Sequence, residues 1–249
     1  MAKIHVLFAR KGGVGKSLIS INMAAVCADV RGPRPDGKPR VAVASADPQG
    51  TALWRAARLE SLPFDILDIS AEAELIPHLR ELPYDHVFVD TPGWTPPSME
   101  RYKAGANPLG ADDDTSRILD AILSQATDAI VPILTEPDSF DPTWQTIEWV
   151  LKPRNIPYQV VINNWPPAEG KAYVEGTRMM CERHGWPVAN TVIRRYRVHT
   201  NATKVVTQYN PNRVELQARE DFYRFALEHG LAGAGPRLEQ ITSDEVGAS

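Results

Sequence analysis

The sequence predicts an α/β protein, a three-layer sandwich whose mostly parallel, twisted sheet carries helices on both faces. Three observations predict it. Short apolar runs alternate with helix-length segments along the whole chain. The runs show little period-two alternation, as expected of strands buried on both faces. A glycine-rich loop joins the first run to the first helical segment, and in open parallel sheets ligands bind at the carboxyl ends of the strands.

The elements follow in order. Residues 3–9 (KIHVLFA) read as a buried strand that ends in a glycine-rich loop, and a helix follows over 18–30. Residues 31–39 hold three prolines and two glycines and form a loop. A second strand over 41–44 closes on Asp47-Pro48-Gln49-Gly50, with a helix over 51–60 behind it. A third strand spans 64–69, a helix 71–81, and a fourth strand 86–90, which ends in Asp90-Thr91-Pro92-Gly93. Residues 94–114, rich in Pro and Gly, are the longest irregular stretch. Beyond it the pattern predicts a helix over 115–126, a strand over 129–134 and a helix over 144–152. A strand over 158–162 ends in Asn163-Asn164, before a helix over 171–184, a strand over 188–193 and a long helix over 212–229. Residues 1–231 are expected to form one domain, and 232–249 a polar tail.

Bulk properties bound the function. A chain of 249 residues suits one sizeable domain, and 43% hydrophobic residues suffice for a packed core. No stretch approaches the ~20 apolar residues of a membrane-spanning helix. The first strand starts at once, so neither a signal peptide nor an N-terminal DNA-reading domain is expected. The two cysteines, Cys27 and Cys181, stand alone in helical contexts. That argues against a disulfide framework or a zinc site and for a reducing cytoplasm.

The loop Lys11-Gly12-Gly13-Val14-Gly15-Lys16-Ser17 carries the strongest chemistry. Its glycines let backbone N–H groups turn towards phosphate oxygens, and the following helix adds the positive end of its dipole. Lys16 is placed to reach the β- and γ-phosphates of a nucleotide, and the Ser17 hydroxyl to ligate Mg²⁺. The ordinary G-x-x-x-x-G-K-[ST] pattern is not met, because Arg10 stands where its first glycine belongs.

The run K-G-G-x-G-K-[ST] resembles the deviant Walker A box of the ParA/MinD superfamily of P-loop ATPases, most closely short ParA proteins that partition DNA. The resemblance spans roughly residues 3–229. It implies ATP and Mg²⁺ as cofactors, held by Lys11, Gly12, Gly13, Val14, Gly15, Lys16, Ser17 and Leu18. It implies an ATP-dependent homodimer in which Lys11 reaches the partner's nucleotide. Asp47 resembles the second aspartate of the family's D-x-D-P-Q box and would position the attacking water and help at the metal; Ser45 replaces the first aspartate. Asp90 resembles the Walker B carboxylate that holds Mg²⁺ with Ser17, and Thr91-Pro92-Gly93 the switch segment after it. Asn163 or Asn164 would read adenine, with Pro166 beside the base. Lys11, Lys16 and Asp47 are thus the candidate catalytic residues of a weak ATP hydrolase stimulated by a partner.

The net charge of −4 speaks against a nucleic-acid binder taken globally, yet the stretch over 171–224 is net basic. Arg194, Arg195, Arg197, Lys204 and Arg219 are candidates for non-specific contacts to DNA phosphates. The resemblance then implies a cytoplasmic, nucleoid-associated ATPase that partitions plasmid or chromosomal DNA with a ParB-like partner. Two alternatives share the P-loop. One is a ParA-like ATPase that positions a protein cargo such as a carboxysome. The other is a MinD-like membrane ATPase, disfavoured because the acidic terminus is no basic amphipathic helix, so no membrane is expected. A nitrogenase-reductase-like carrier lacks suitably placed cysteines, and a tyrosine autokinase lacks a terminal tyrosine cluster.

Overall fold

In the computed structural model, residues 1–231 are described, except 49, 60, 71, 72, 111, 112, 201 and 202. The tail expected over 232–249 lies outside the described residues. Strands β1 (Lys3–Leu7), β2 (Val41–Ser45), β3 (Asp65–Asp68), β4 (His86–Asp90), β5 (Asp128–Ile133), β6 (Tyr158–Trp165) and β7 (Val188–Arg194) form one sheet in the order β3-β2-β4-β1-β5-β6-β7. Every pairing is parallel. The α/β class is confirmed, and "mostly parallel" becomes wholly parallel among the described strands.

Successive residues of each strand face opposite layers, because the side-chain period of a strand is two. Ile4, Val6, Val87 and Val89 point into one apolar cluster with Leu119, Ile122 and Trp149. Leu7, Phe88, Ile130 and Val161 point into the other with Ile19, Met23, Phe222 and Phe225. Both faces bury apolar residues, which is why the strands read as continuous hydrophobic runs.

The second layer is built by α1 (Lys16–Arg31) and by α7 (Arg213–Glu228) at the far end of the chain. In sequence order between them come α2 (Thr51–Ala56), α3 (Met99–Lys103), α4 (Asp114–Gln125), α5 (Phe140–Gln145) and α6 (Ala172–Arg183). Local chemistry sets several ends. Asp113 caps α4 through the Ser116 backbone N–H, and the Ser116 hydroxyl accepts from the Asp113 N–H. Asn212 caps α7 by accepting from the Glu215 N–H. Helix α1 stops at Gly32, which sits at φ 65°.

Several expected elements differ: the helix expected over 51–60 ends at Ala56, and the strand expected over 158–162 runs on through both asparagines to Trp165. The helix expected over 71–81 is a 3₁₀ helix at Ala73–Glu81, with Pro77 inside it removing a backbone donor. The helix expected over 144–152 starts earlier, as α5, and continues as a π-helical segment over Thr146–Leu151. The irregular stretch over 94–114 holds α3 and is pinned by stacking of Trp94 on Phe8 and Tyr102 on Trp149, with ring centroids 4.5 and 4.0 Å apart. Cys27 and Cys181 are both free and buried, and burial pushes each thiol up to about 11. They behave as small core side chains.

Helix α7 is anchored to the sheet by Phe222 and Phe225, each fully buried. Phe222→Ala should cost about 3–5 kcal/mol of stability, readable as a lower urea midpoint.

Candidate active site

The loop between β1 and α1 emerges at the carboxyl end of the central strand, beside the ends of β2 and β4. Gly13 and Gly15 adopt φ of 75° and 93°, a left-handed backbone that favours glycine. A Cβ at Gly15 would also lie 2.2 Å from Asn163 Nδ2. The Asn163 amide donates to the Val14 carbonyl at 2.7 Å, so β6 props the loop from below.

Lys16 lies inside its own loop, almost fully buried, and its ammonium donates to the carbonyls of Ala9 at 3.2 Å and Lys11 at 3.3 Å. Burial pulls its pKa down, opposed by the charges of Asp90 and Asp47. Arg10 is tied to the π-helical junction. Its backbone N–H donates to Thr146 Oγ1 at 3.1 Å and its guanidinium to Gln145 Oε1 at 2.7 Å. Gly93 packs so close to the Arg10 carbonyl that a Cβ would meet it at 2.9 Å. An arginine where the ordinary motif has glycine is thus accommodated by anchoring the loop outward, and the small residue is needed on the facing switch segment instead. The Thr91 hydroxyl donates to the Leu7 carbonyl at 2.6 Å, fastening that segment to β1.

The floor of the site is polar. Ser45 and Asp90 are register partners at the ends of β2 and β4, and both are fully buried. The Ser45 hydroxyl and both Asp90 oxygens lack a hydrogen-bond partner of normal geometry. Buried polar atoms are nearly always satisfied, so three orphaned oxygens at one spot mark a place built for a further group. Burial pushes the Asp90 carboxyl up to about 6, offset in part by the Ser17 hydroxyl and Lys16 and reinforced by Asp47. A carboxylate, a neighbouring serine hydroxyl and open oxygen positions fit Mg²⁺.

Above this floor lies a cleft of about 620 Å³, lined by the loop glycines, Lys16, Ser17, Leu18, Asp47, Thr51, Arg55, Thr91 and Thr115. Its size, its glycine-rich wall and the amino end of α1 beside it suit a nucleoside triphosphate. Arg55 and Thr115 were not singled out from the sequence. Arg55 sits one helical turn after Thr51, the only local signal that could have found it, and its guanidinium donates to the His199 carbonyl at 3.1 Å. Burial pulls its pKa down.

The remaining expected residues are placed unevenly. Lys11 does not line the cleft; its ammonium pairs with the exposed Asp138 carboxylate at 2.8 Å. Asn163 is buried with its amide committed to Val14, whereas Asn164 is exposed at φ 58°, and Pro166 is half-buried in the loop beyond. In the basic stretch, Arg195 and Arg197 are exposed. Arg194 is not part of that free surface, because its guanidinium forks onto the buried Asp221 carboxylate at 2.7–3.1 Å. Arg219 lies over the Tyr223 ring at 4.9 Å, and Lys204 donates to Asn210 Oδ1 at 3.2 Å. Sequence reasoning overcounted the basic surface because charge counting cannot see which arginines the fold has already paired.

No family model matches the chain. Maintenance of carboxysome distribution protein A from Gloeobacter kilaueensis is 30% identical over 194 residues, which cover 77% of this chain and 76% of that protein. The chain belongs to the ParA/MinD superfamily. Among solved structures, the fold of this ParA/MinD protein is similar to MinD cell division protein of Aquifex aeolicus, with a TM-score of 0.62 at 16% identity, covering 91% of this chain and 97% of that one. It is also similar to an ATP complex of a Cyanothece McdA variant, with a TM-score of 0.60 at 13% identity over 92% and 96% of the two chains. Cobyrinic acid a,c-diamide synthase of Mycobacterium smegmatis gives 0.56 at 17% identity over 94% and 96%. A fold shared by a cell-division protein, a carboxysome protein and a synthase does not by itself choose among activities.

Asp90 supplies a pH test. Its folded carboxyl is raised from 3.8 to about 6, so the folded state holds a proton that the unfolded state has lost. Stability of the nucleotide-free protein should therefore fall as pH rises through that window. Asp90→Asn should flatten this fall and be more stable above neutrality by about 3 kcal/mol, measured by urea unfolding on either side of about pH 6.

Proposed function

We propose that this ParA/MinD-family protein is an ATP-switched dimerising ATPase that positions a protein cargo. The observation that carries this reading is the relative itself: a carboxysome distribution protein shares 30% identity across about three quarters of both chains. The geometry of the loop supports the switch.

In this reading Gly12, Gly13, Gly15 and Lys16 bind the triphosphate, with Leu18 lining the cleft beyond them. Ser17 and Asp90 hold Mg²⁺, whose chemistry is to neutralise phosphate oxygens. Asp47 orients the attacking water at the cleft wall. Lys11 acts on the partner subunit's nucleotide. Its position outside its own cleft and its ion pair with Asp138 support that division. An exposed lysine–aspartate pair is worth only about 0–1 kcal/mol, so Lys11 can exchange Asp138 for a phosphate at little cost. Asn164, exposed at the end of β6, is the better candidate for adenine, since Asn163 is buried under the loop with its Nδ2 donating to Val14 and only its Oδ1 unpartnered. Hydrolysis is slow until a partner protein bound to the cargo stimulates it.

The ATP dimer attaches to nucleoid DNA through Arg195 and Arg197, which dimerisation doubles. A second reading, partition of DNA as the cargo with a ParB-like partner, uses the same residues. The exposed pair of arginines favours DNA as a bound surface; it does not distinguish carrier from cargo. No helix among the described residues is long and apolar enough to cross a membrane.

Three variants separate the assigned roles. Lys16→Ala should lose nucleotide binding, Lys11→Ala should bind ATP as a monomer, and Asp47→Ala should accumulate an ATP-bound dimer. Nucleotide affinity and light scattering read these out, and equal nucleotide loss in all three would refute the assignments. Charge reversal at Arg195 and Arg197 should weaken binding to all duplex sequences alike and reduce its salt dependence. ATP-dependent retention on DNA that these changes leave untouched would remove the carrier surface from the proposal.

A further inference from the structure

A second cluster of polar side chains lies away from the nucleotide cleft, on the α1/α7 face of the sheet near the amino ends of the strands. His5 of β1, Asp128 of β5 and His229 at the end of α7 each offer one ligand atom, and these atoms all lie within 4.8 Å of one another. His5 Nδ1 is 2.9 Å from both Asp128 oxygens, and His229 Nε2 is 3.1 Å from Asp128 Oδ1. We propose that His5, Asp128 and His229 form a binding site for one divalent transition-metal ion of the zinc class.

The donor set fits. Two imidazole nitrogens and a carboxylate are the ligands such ions take, with a water in the fourth position. Ligands at about 2.0–2.2 Å from a tetrahedral ion stand about 3.3–3.6 Å apart. The two shorter separations, 2.9 and 3.1 Å, would open by about 0.2–0.7 Å, and the third, at most 4.8 Å, would close by up to about 1.5 Å, a movement within reach of imidazole rotation. Asp128 keeps about a fifth of its side chain exposed, so an ion and its water have a path in.

The outer contacts fit as well. A metal-bound histidine usually donates its other N–H to a fixed acceptor, which sets the tautomer and aims the ligating nitrogen. His229 Nδ1 faces Gln159 Oε1 at 2.9 Å, and His5 Nε2 faces His86 Nδ1 at 2.8 Å. The ligands come from positions 5, 128 and 229, so an ion would tie the end of α7 to the two central strands.

The test uses the full chain, without a histidine tag and free of nucleotide. Co²⁺ is titrated with the visible spectrum as readout, and Zn²⁺ by calorimetry. The site requires one ion per chain, a tetrahedral cobalt spectrum and a higher thermal midpoint with Zn²⁺. His229→Gln should abolish all three. Gln159→Met, which leaves every ligand in place, should weaken Zn²⁺ binding about 10–100-fold and covers the case in which His229→Gln fails to fold. Excess Mg²⁺ should not displace the ion, because imidazole sites disfavour hard cations. A folded wild-type protein that takes up no ion overturns the proposal. So does uptake that either variant leaves unchanged.

Discussion

Strand β1 is hydrogen-bonded on both edges, to β4 and β5, and covered on both faces. That constraint places everything else. A strand so enclosed can present a loop only at its ends, and the crossover to β2, two places along the sheet, sends the loop into a helix packed on one face. Phosphate loop, switch segment and the end of β2 therefore converge at the carboxyl ends of the interior strands. The orphaned oxygens of Ser45 and Asp90 sit where the three meet. Leaving them unpaired destabilises the bare protein, and a cation with its ligands relieves that cost. Local instability at the site and affinity for ligand are two sides of one arrangement.

Loop geometry shows how a departure from the ordinary phosphate-loop pattern is absorbed. Arg10 replaces a glycine, and its side chain is drawn to Gln145 at the α-to-π junction. The π-helical segment presents Thr146 to the Arg10 N–H. The irregularity in the helix and that in the motif meet at one contact. Lys11, the next residue, is turned towards Asp138 and away from its own cleft.

Legibility in the sequence varied with the range of the interaction involved. The P-loop was legible because its chemistry is contiguous: glycines, lysine and serine lie within seven residues, and backbone conformation follows from residue type. The strands were legible because burial on both faces writes an unbroken apolar run. The helix over 71–81 was misread because Pro77 tightens it, and the basic surface because Asp221, 27 residues away from Arg194, neutralises that residue. Arg55 went unnoticed because its one local signal, a place one helical turn after Thr51, does not separate a cleft-lining arginine from a solvated one.

By itself the sequence determined the α/β class, the phosphate loop and the carboxylates at the strand ends, since each depends on neighbours close along the chain. Only the tertiary structure decided which side chains remain available. It committed Asn163 to the loop and Arg194 to Asp221, turned Lys11 to Asp138, and gathered His5, Asp128 and His229 from both ends of the chain. The physical reason is that pairing in a buried site depends on distance in space. Residue type sets what a side chain can do, and the fold sets what is near enough for it to act upon.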